Sequence, residues 1–290
     1  MDGILLIDKP IGWTSHDVVN KLRRLLHTQK IGHTGTLDPL ATGLLVVCIG
    51  KATKFVKYLT DHDKEYIAEI ALGIKTNTDD ITGKITESRI IESIDTDEVI
   101  KVLNRFIGTI NQIPPVASAI KIDGKRAYKY IHNDQEEPVM TPREVTIDSI
   151  DLLNLPIISE GKAFFTLNIS CSKGTYIRSL ARDIGDALNI PATLSNLRRT
   201  RVGSFRINQS CQIEEINPES VHLLDPVDYL GFSRVNIADE YLFKVSNGAF
   251  LPTNLFTNLQ DTIVCNKEGI PLAIYSYDED RNIMRLSVLI

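Results

Sequence analysis

Strand-like and helix-like segments follow one another in this 290-residue chain without the regular strand–helix–strand alternation that a doubly wound parallel sheet requires. "GILLID", at the N-terminus, reads as a short buried strand ended by Lys9-Pro10, and "LLVVCIG" as a continuous apolar strand. Between them Val18, Val19, Leu22, Leu25 and Leu26 recur at helical spacing, with Lys21, Arg23 and Arg24 off that face. Ser15 suits the N-cap of this helix, and Asp17 lies where the helix dipole favours an acid. "EYIAEIALG" puts Tyr66, Ala68, Ile70 and Leu72 on one side of a strand that Gly73 ends. "TDEVIKVLNRFIG" predicts a helix capped by Thr96, with Val99, Val102, Leu103 and Phe106 inward. Asp123-Gly124 is a hairpin-type turn signal. "AFFTLNISCS" predicts a strand and "TYIRSLARDIGDALNI" a helix whose inner face is Ile177, Leu180, Ala181, Ile184 and Leu188. The expected class is α+β, a mixed and largely antiparallel sheet flanked by helices.

"HLLDPVDYL" reads as the end of one unit, residues 1–232. In residues 233–290 "NGAFLPTN", "DTIVCNKEGIPLAIYSY" and "IMRLSVLI" predict short strands, so a small β-rich domain is expected there. Its 58 residues are near the lower limit for independent folding. The four cysteines are scattered with no C-x-x-C spacing, which argues against a disulfide framework or zinc site. "MDGILLIDKPIGW" lacks the features of a signal peptide, and no run approaches the roughly 18–20 apolar residues of a membrane span. A cytoplasmic protein is expected.

A net charge of −5 hides an uneven distribution. Residues 1–57 carry eight bases against four acids, "RRTRVGSFR" holds four arginines and no acid, and residues 211–290 carry twelve acids against five bases. Phosphate binding follows the local field, so a basic body compatible with a nucleic-acid partner is expected.

Chemistry concentrates on "GHTGTLDPLATG", a loop between two hydrophobic segments. Asp38 precedes Pro39, which steers it away from helical backbone and fixes it at a chain reversal. Gly32, Gly35 and Gly43 leave room for another backbone to approach. An Asp-Pro pair is also an ordinary N-cap, so Asp38 is either a cap or a catalytic carboxylate. Arg178, in the first turn of the helix after "CSKG", opposes the helix dipole unless an anion compensates it. That anion is either a structural acid or a site carboxylate, and a carboxylate held by arginine stays ionised, as a nucleophile must. Tyr66 is either core packing or a ring that meets a ligand base. Gly50-Lys51 is followed by Ala52 where a P-loop needs a hydroxyl, and neither metal-ligand spacing nor a G-x-S-x-G elbow is present.

Together "GILLIDKPIGWTSHDVV", "KIGHTGTLDPLATGLLVVCIGKATKF", "DKEYIAEIALGIKTNTDDITG", "PPVASAIKIDGKRAYKY", "CSKGTYIRSLARDIG" and "LSNLRRTRVGSF" resemble the TruB-type tRNA pseudouridine-55 synthase family over residues 1–230. The resemblance implies a pseudouridine-synthase-like catalytic domain with a PUA-like C-terminal domain. It implies an isomerase acting on a flipped-out uridine in the tRNA T stem-loop, with no cofactor. The dispersed histidines argue against a metal, and with no long apolar seam a monomer without an obligate protein partner is expected. It assigns Asp38 as the essential carboxylate, Arg178 as the group that orients it, and Tyr66 as the ring that stacks on the base and helps remove its carbon 5 proton. Tyr176 and Leu197 are implied to line the uracil pocket, and His33 to contact the loop RNA. Ala117 stands where the family often carries an aromatic.

Overall fold

In the computed structural model described here, residues 1–118 and 139–290 are defined, together with two short strands between these stretches, Lys121–Ile122 and Lys125–Arg126. The strands come in the order β1 (Gly3–Lys9), β2 (Ile31–His33), β3 (Thr42–Ile49), β4 (Lys64–Leu72), β5 (Ile74–Thr76), β6 (Ile85–Ser88) and β7 (Gly108–Gln112). The paired Lys121–Ile122 and Lys125–Arg126 are β8 and β9. The Asp123-Gly124 turn expected between them lies outside the described residues. There follow β10 (Arg143–Leu152), β11 (Ile157–Ser159), β12 (Lys162–Cys171), β13 (Ala192–Val202) and β14 (Phe205–Arg206). The C-terminal strands are β15 (Ser233–Asn236), β16 (Thr262–Cys265), β17 (Pro271–Asp278) and β18 (Ile283–Leu289). The helices are α1 (Ser15–Leu25), α2 (Val56–Leu59), α3 (Thr96–Asn104), α4 (Ile177–Leu188) and α5 (Leu242–Ser246).

Ten strands form one sheet with the path β1-β3-β13-β4-β12-β10-β7, and β2, β14 and β11 add to β3, β13 and β12. Every pairing along that path is antiparallel except β13 with β3, where Arg198 and Arg199 lie parallel to Thr42 and Gly43. Side chains alternate across a strand, so a strand covered on both faces must be apolar throughout. β1 and β3 show this. Ile4, Leu6, Leu44, Val46 and Cys48 face one core, while Leu5, Ile7, Leu45, Val47 and Ile49 face another with α1. Farther along the sheet, α3 and α4 cover β4, β12, β10 and β13 in a third core, with all five expected inner residues of α4 buried.

Two expected caps are displaced by one residue. Thr14, not Ser15, caps α1, with Asp17 completing a capping box, and Asp95, not Thr96, caps α3. In the C-terminal part, β15 pairs parallel to β16 in a four-stranded sheet, order β15-β16-β17-β18. "NGAFLPTN" is no strand: it follows α5, makes a single bridge from Leu251 to Met284, and ends in a 3-10 turn at Thr253–Leu255. No helix among the described residues is long and apolar enough to cross a membrane.

Candidate active site

The Asp38 loop is pinned from two sides. Ser15, freed from capping, points inward, and its hydroxyl accepts from the Leu37 N–H at 2.8 Å and donates to the Leu37 carbonyl at 3.1 Å. From the other side the buried Arg199 guanidinium donates to the Leu44, Gly35 and Thr36 carbonyls at 2.8, 3.0 and 3.4 Å. Gly43, at φ +98°, lets β3 meet β13. A Cβ there would stand 2.3 Å from the Arg199 carbonyl oxygen. Of the three loop glycines it alone faces another backbone this closely. Gly35 meets only side chains, Arg199 at 3.4 Å and Lys64 at 3.9 Å, and Gly32 the Val56 side chain at ordinary contact distance.

Asp38 is not a cap. The turn it starts closes through its carbonyl, which accepts from the Ala41 N–H at 3.0 Å, and among the described residues no backbone N–H donates to its carboxylate. The carboxylate instead lies 2.9 Å from the Arg178 Nη2. Arg178 is the second residue of α4, 6% exposed at the side chain, whereas the Asp38 side chain is 41% exposed. The carboxylate is therefore held at the open end of a cleft rather than buried. Arg178 also reaches Asp80 Oδ2 at 3.6 Å and donates to the Thr78 and Ala117 carbonyls at 3.1 and 2.9 Å. Its two carboxylate partners differ: Asp80 is buried and Asp38 is accessible. The Ala117 contact is made by the backbone, which is indifferent to the missing aromatic.

The cleft encloses about 510 Å3, and Asp38, Tyr66, Tyr176, Arg178 and Leu197 all line it, with Lys64, Ser118, Arg143, Lys173 and Arg199. Tyr66 extends from β4 and is nearly buried. Burial raises its phenol above the ordinary tyrosine range, so it stays protonated at neutral pH. Tyr176, at the N-cap of α4, is fixed by Gln112, whose amide oxygen accepts from the Tyr176 N–H at 2.8 Å while its amide nitrogen donates to the Tyr176 carbonyl at 3.1 Å. Burial raises this phenol also.

His33 stands apart. It belongs to β2, is half-buried, and is not among the residues lining the cleft. Its Nδ1 has no hydrogen-bond partner among the described residues, and burial lowers its pKa, with the Arg199 and His16 charges adding to the effect. The alternation of β2 explains the position, because His33 shares its face with the buried Ile31. Within the arginine run, Arg198 grips Asp8 through two contacts of 3.0 and 2.6 Å while its side chain stays 40% exposed, Arg199 is interior, and Arg201 contacts Glu65 at 3.5 Å.

Sequence reasoning missed Asp80, Lys64 and Arg199. Lys64 is buried, donates to the Thr60 carbonyl at 3.1 Å and to the His62 carbonyl, and burial lowers it to about 8. A charge inside a strand that is otherwise buried was the available signal, and Arg199 on β13 carried it as well.

The family model described as "TruB family pseudouridylate synthase (N terminal domain)" matches residues 23–177. A second, "tRNA pseudouridylate synthase B C-terminal domain", matches residues 178–229. Curated relatives named tRNA pseudouridine synthase B include one from Halalkalibacterium halodurans, 44% identical over 285 residues, spanning 95% of this chain and 92% of the relative. Another, from Listeria welshimeri, is 42% identical over 285 residues, spanning 95% and 93%. Among solved structures, a chain of a Cbf5-Nop10-Gar1 complex superposes with a TM-score of 0.70 at 25% identity, over 99% of this chain and 83% of that one. With 42–44% identity over nearly its whole length and family matches running unbroken from residue 23 to 229, this chain belongs to the TruB family of pseudouridylate synthases.

Proposed function

We propose that the cleft takes a uridine flipped out of the T loop of tRNA and isomerises it to pseudouridine at position 55. In that reaction the bond from the ribose C1′ to N1 breaks, the base turns, and C1′ bonds to C5. The C5 proton leaves and N1 gains one, so mass is unchanged and the same atoms leave and return. Asp38 is the carboxylate that acts on the ribose, and Arg178 aims it through their 2.9 Å contact. Tyr66 stacks on the uracil. Its raised phenol makes a phenolate base at neutral pH unfavourable, which favours stacking over proton removal. Tyr176 and Leu197 form the walls of the base pocket. Flipping costs a few kcal/mol, least in a loop already short of pairing.

The observation that carries this reading is the 2.9 Å Asp38–Arg178 pair at the mouth of a cleft walled by Tyr66, Tyr176 and Leu197. Lys173 and Arg143, both exposed at the same cleft, suit the flanking phosphates. The enzyme is read as a cytoplasmic monomer with no obligate protein partner, divided into a catalytic unit, 1–232, and a PUA-like unit, 233–290. That division is supported by the second family match ending at 229 and the C-terminal sheet starting at Ser233.

The test is release of tritium from tRNA labelled at uridine C5. Asp38→Asn abolishes release while tRNA binding persists. Normal turnover by that variant removes Asp38 from the chemistry, and no release from the unaltered protein leaves only an RNA binder.

A further inference from the structure

Arg178 and Arg182 stand one helical turn apart on α4, and consecutive aspartates on the turn between β5 and β6 face them. Arg178 reaches Asp80, and Arg182 Nη1 lies 2.8 Å from Asp79 Oδ2. Neighbouring residues of an extended segment point to opposite sides. Here Asp79 adopts φ +60°, a left-handed conformation unfavourable for a residue with a Cβ, and both carboxylates reach the same helix. Burial pushes the Asp79 carboxyl above the usual range, and Arg182 is the strongest influence holding it down.

Arg182 makes a second connection. Its Nη2 donates to the Ile113 carbonyl at 2.9 Å, and Ser179 donates to the same oxygen at 2.8 Å. Four residues on, the Ala117 carbonyl accepts from Arg178. The Asp79–Asp80 turn is also bonded to the start of β13: Leu194 N–H donates to the Asp79 carbonyl at 3.1 Å and Ile81 N–H to the Leu194 carbonyl at 2.8 Å. Three residues along β13, Leu197 lines the cleft. Neither Asp79 nor Arg182 lines it.

We propose that Asp79 and Arg182 are positioning residues for the reaction: their ion pair fixes the two segments that seat the Arg178 guanidinium, and so aims the Asp38 carboxylate. The proposal rests on the isomerase reading above. A displacement of about 1 Å in a reacting group is enough to cost on the order of a hundredfold in rate. The pair lies outside the lining of the cleft, so substrate affinity is expected to be spared.

The experiment compares kcat, KM and melting temperature for Asp79→Asn, Arg182→Gln, Arg182→Lys and Arg89→Ala. Asp79→Asn and Arg182→Gln lower kcat by about tenfold or more and leave KM within about twofold. Arg182→Lys recovers part of kcat, because an ammonium still pairs with Asp79. Arg89 is exposed and donates to the Asn189 carbonyl at the far end of α4, at 2.7 Å, so Arg89→Ala lowers the melting temperature without lowering kcat. Wild-type kcat in both Asp79→Asn and Arg182→Gln overturns the proposal, as does a kcat that merely tracks melting temperature across all four variants. A crystal structure of Arg182→Gln separates this from failure of the isomerase reading. If the tie positions Arg178, the 2.9 Å Asp38–Arg178 contact lengthens beyond about 4 Å, the limit of an ion pair. An unchanged contact overturns the proposal whether or not the native chain turns over uridine.

Discussion

Arg178 offers a planar fork to four oxygens at once, the Asp38 and Asp80 carboxylates and the Thr78 and Ala117 carbonyls. Lysine carries the same charge as a single ammonium on a flexible stem and cannot reproduce that geometry. Arg178→Lys is therefore expected to lower single-turnover rate about a hundredfold while tRNA affinity changes little, because orientation rather than charge is lost. Rates measured at saturating tRNA beside filter-binding affinities check this, and equal losses in both would place Arg178 on the binding surface. Arg178 stood out in the sequence because it breaks a local rule, a cation against the dipole of its own helix, whereas Asp38, an acid before proline, could equally be a cap and was singled out by the family resemblance. Asp80 was not legible. It sits in a polar loop where an aspartate is unremarkable, and only the fold brings it to Arg178, about a hundred residues later in the chain. His33, half-buried on β2, shares a face with the buried Ile31 and does not line the cleft.

The junction of β1 and α1 depends on a buried cation. Lys9 ends β1 fully buried, and its ammonium donates to the Pro10 and Trp13 carbonyls at 2.9 and 2.6 Å, closing the connection into the helix that holds Leu37. Burial lowers its pKa from 10.5 to about 8, against the attraction of Asp38. Between those values the unfolded chain binds a proton that the folded chain has released, so this group's contribution to stability rises with pH, and below about 8 its cost is constant. Urea midpoints of the native protein, taken relative to Lys9→Met, should climb from pH 7.5 to 10, and a flat difference would show Lys9 solvated. The strands and helices around this junction were readable, since the unbroken apolar runs of β1 and β3 reflect cover on both faces. The caps were not. "TSHD" and "DTDE" each offer several capping side chains in a row, and the choice at α1 goes with the need for Ser15 at Leu37. β15 was missed because its four residues, Ser233, Arg234, Val235 and Asn236, hold a single apolar side chain and so show no apolar alternation in the sequence.

Over the whole molecule, the C-terminal sheet closes a core begun at the N-terminus. Ile263, Cys265, Ile274 and Val288 pack in one cluster with Ile4, Leu6, Leu44, Val46 and Phe55. Beside it the Lys57 ammonium donates to Ser287 Oγ at 2.8 Å, the Tyr58 hydroxyl shares a 2.6 Å hydrogen bond with the same oxygen, and the Tyr58 and Phe232 rings meet edge to face at 5.2 Å. Burying one aliphatic side chain contributes roughly 1.5–3 kcal/mol, so removing the C-terminal cover takes several kcal/mol from the outer face of β1 and β3. At about 2–4 °C per kcal/mol for a chain of this size, a protein ended at residue 232 should melt roughly 10–20 °C below the full chain and expose an apolar patch prone to association. Scanning calorimetry and light scattering on the two lengths measure both consequences. An equal melting temperature would mean that the two units touch without sharing a core. The expected loss bears on the site as well, because β3 runs directly from the Asp38 loop, and Gly43, its second residue, meets Arg199 on β13. Loosening the outer face of β3 should therefore lower turnover before it lowers RNA binding.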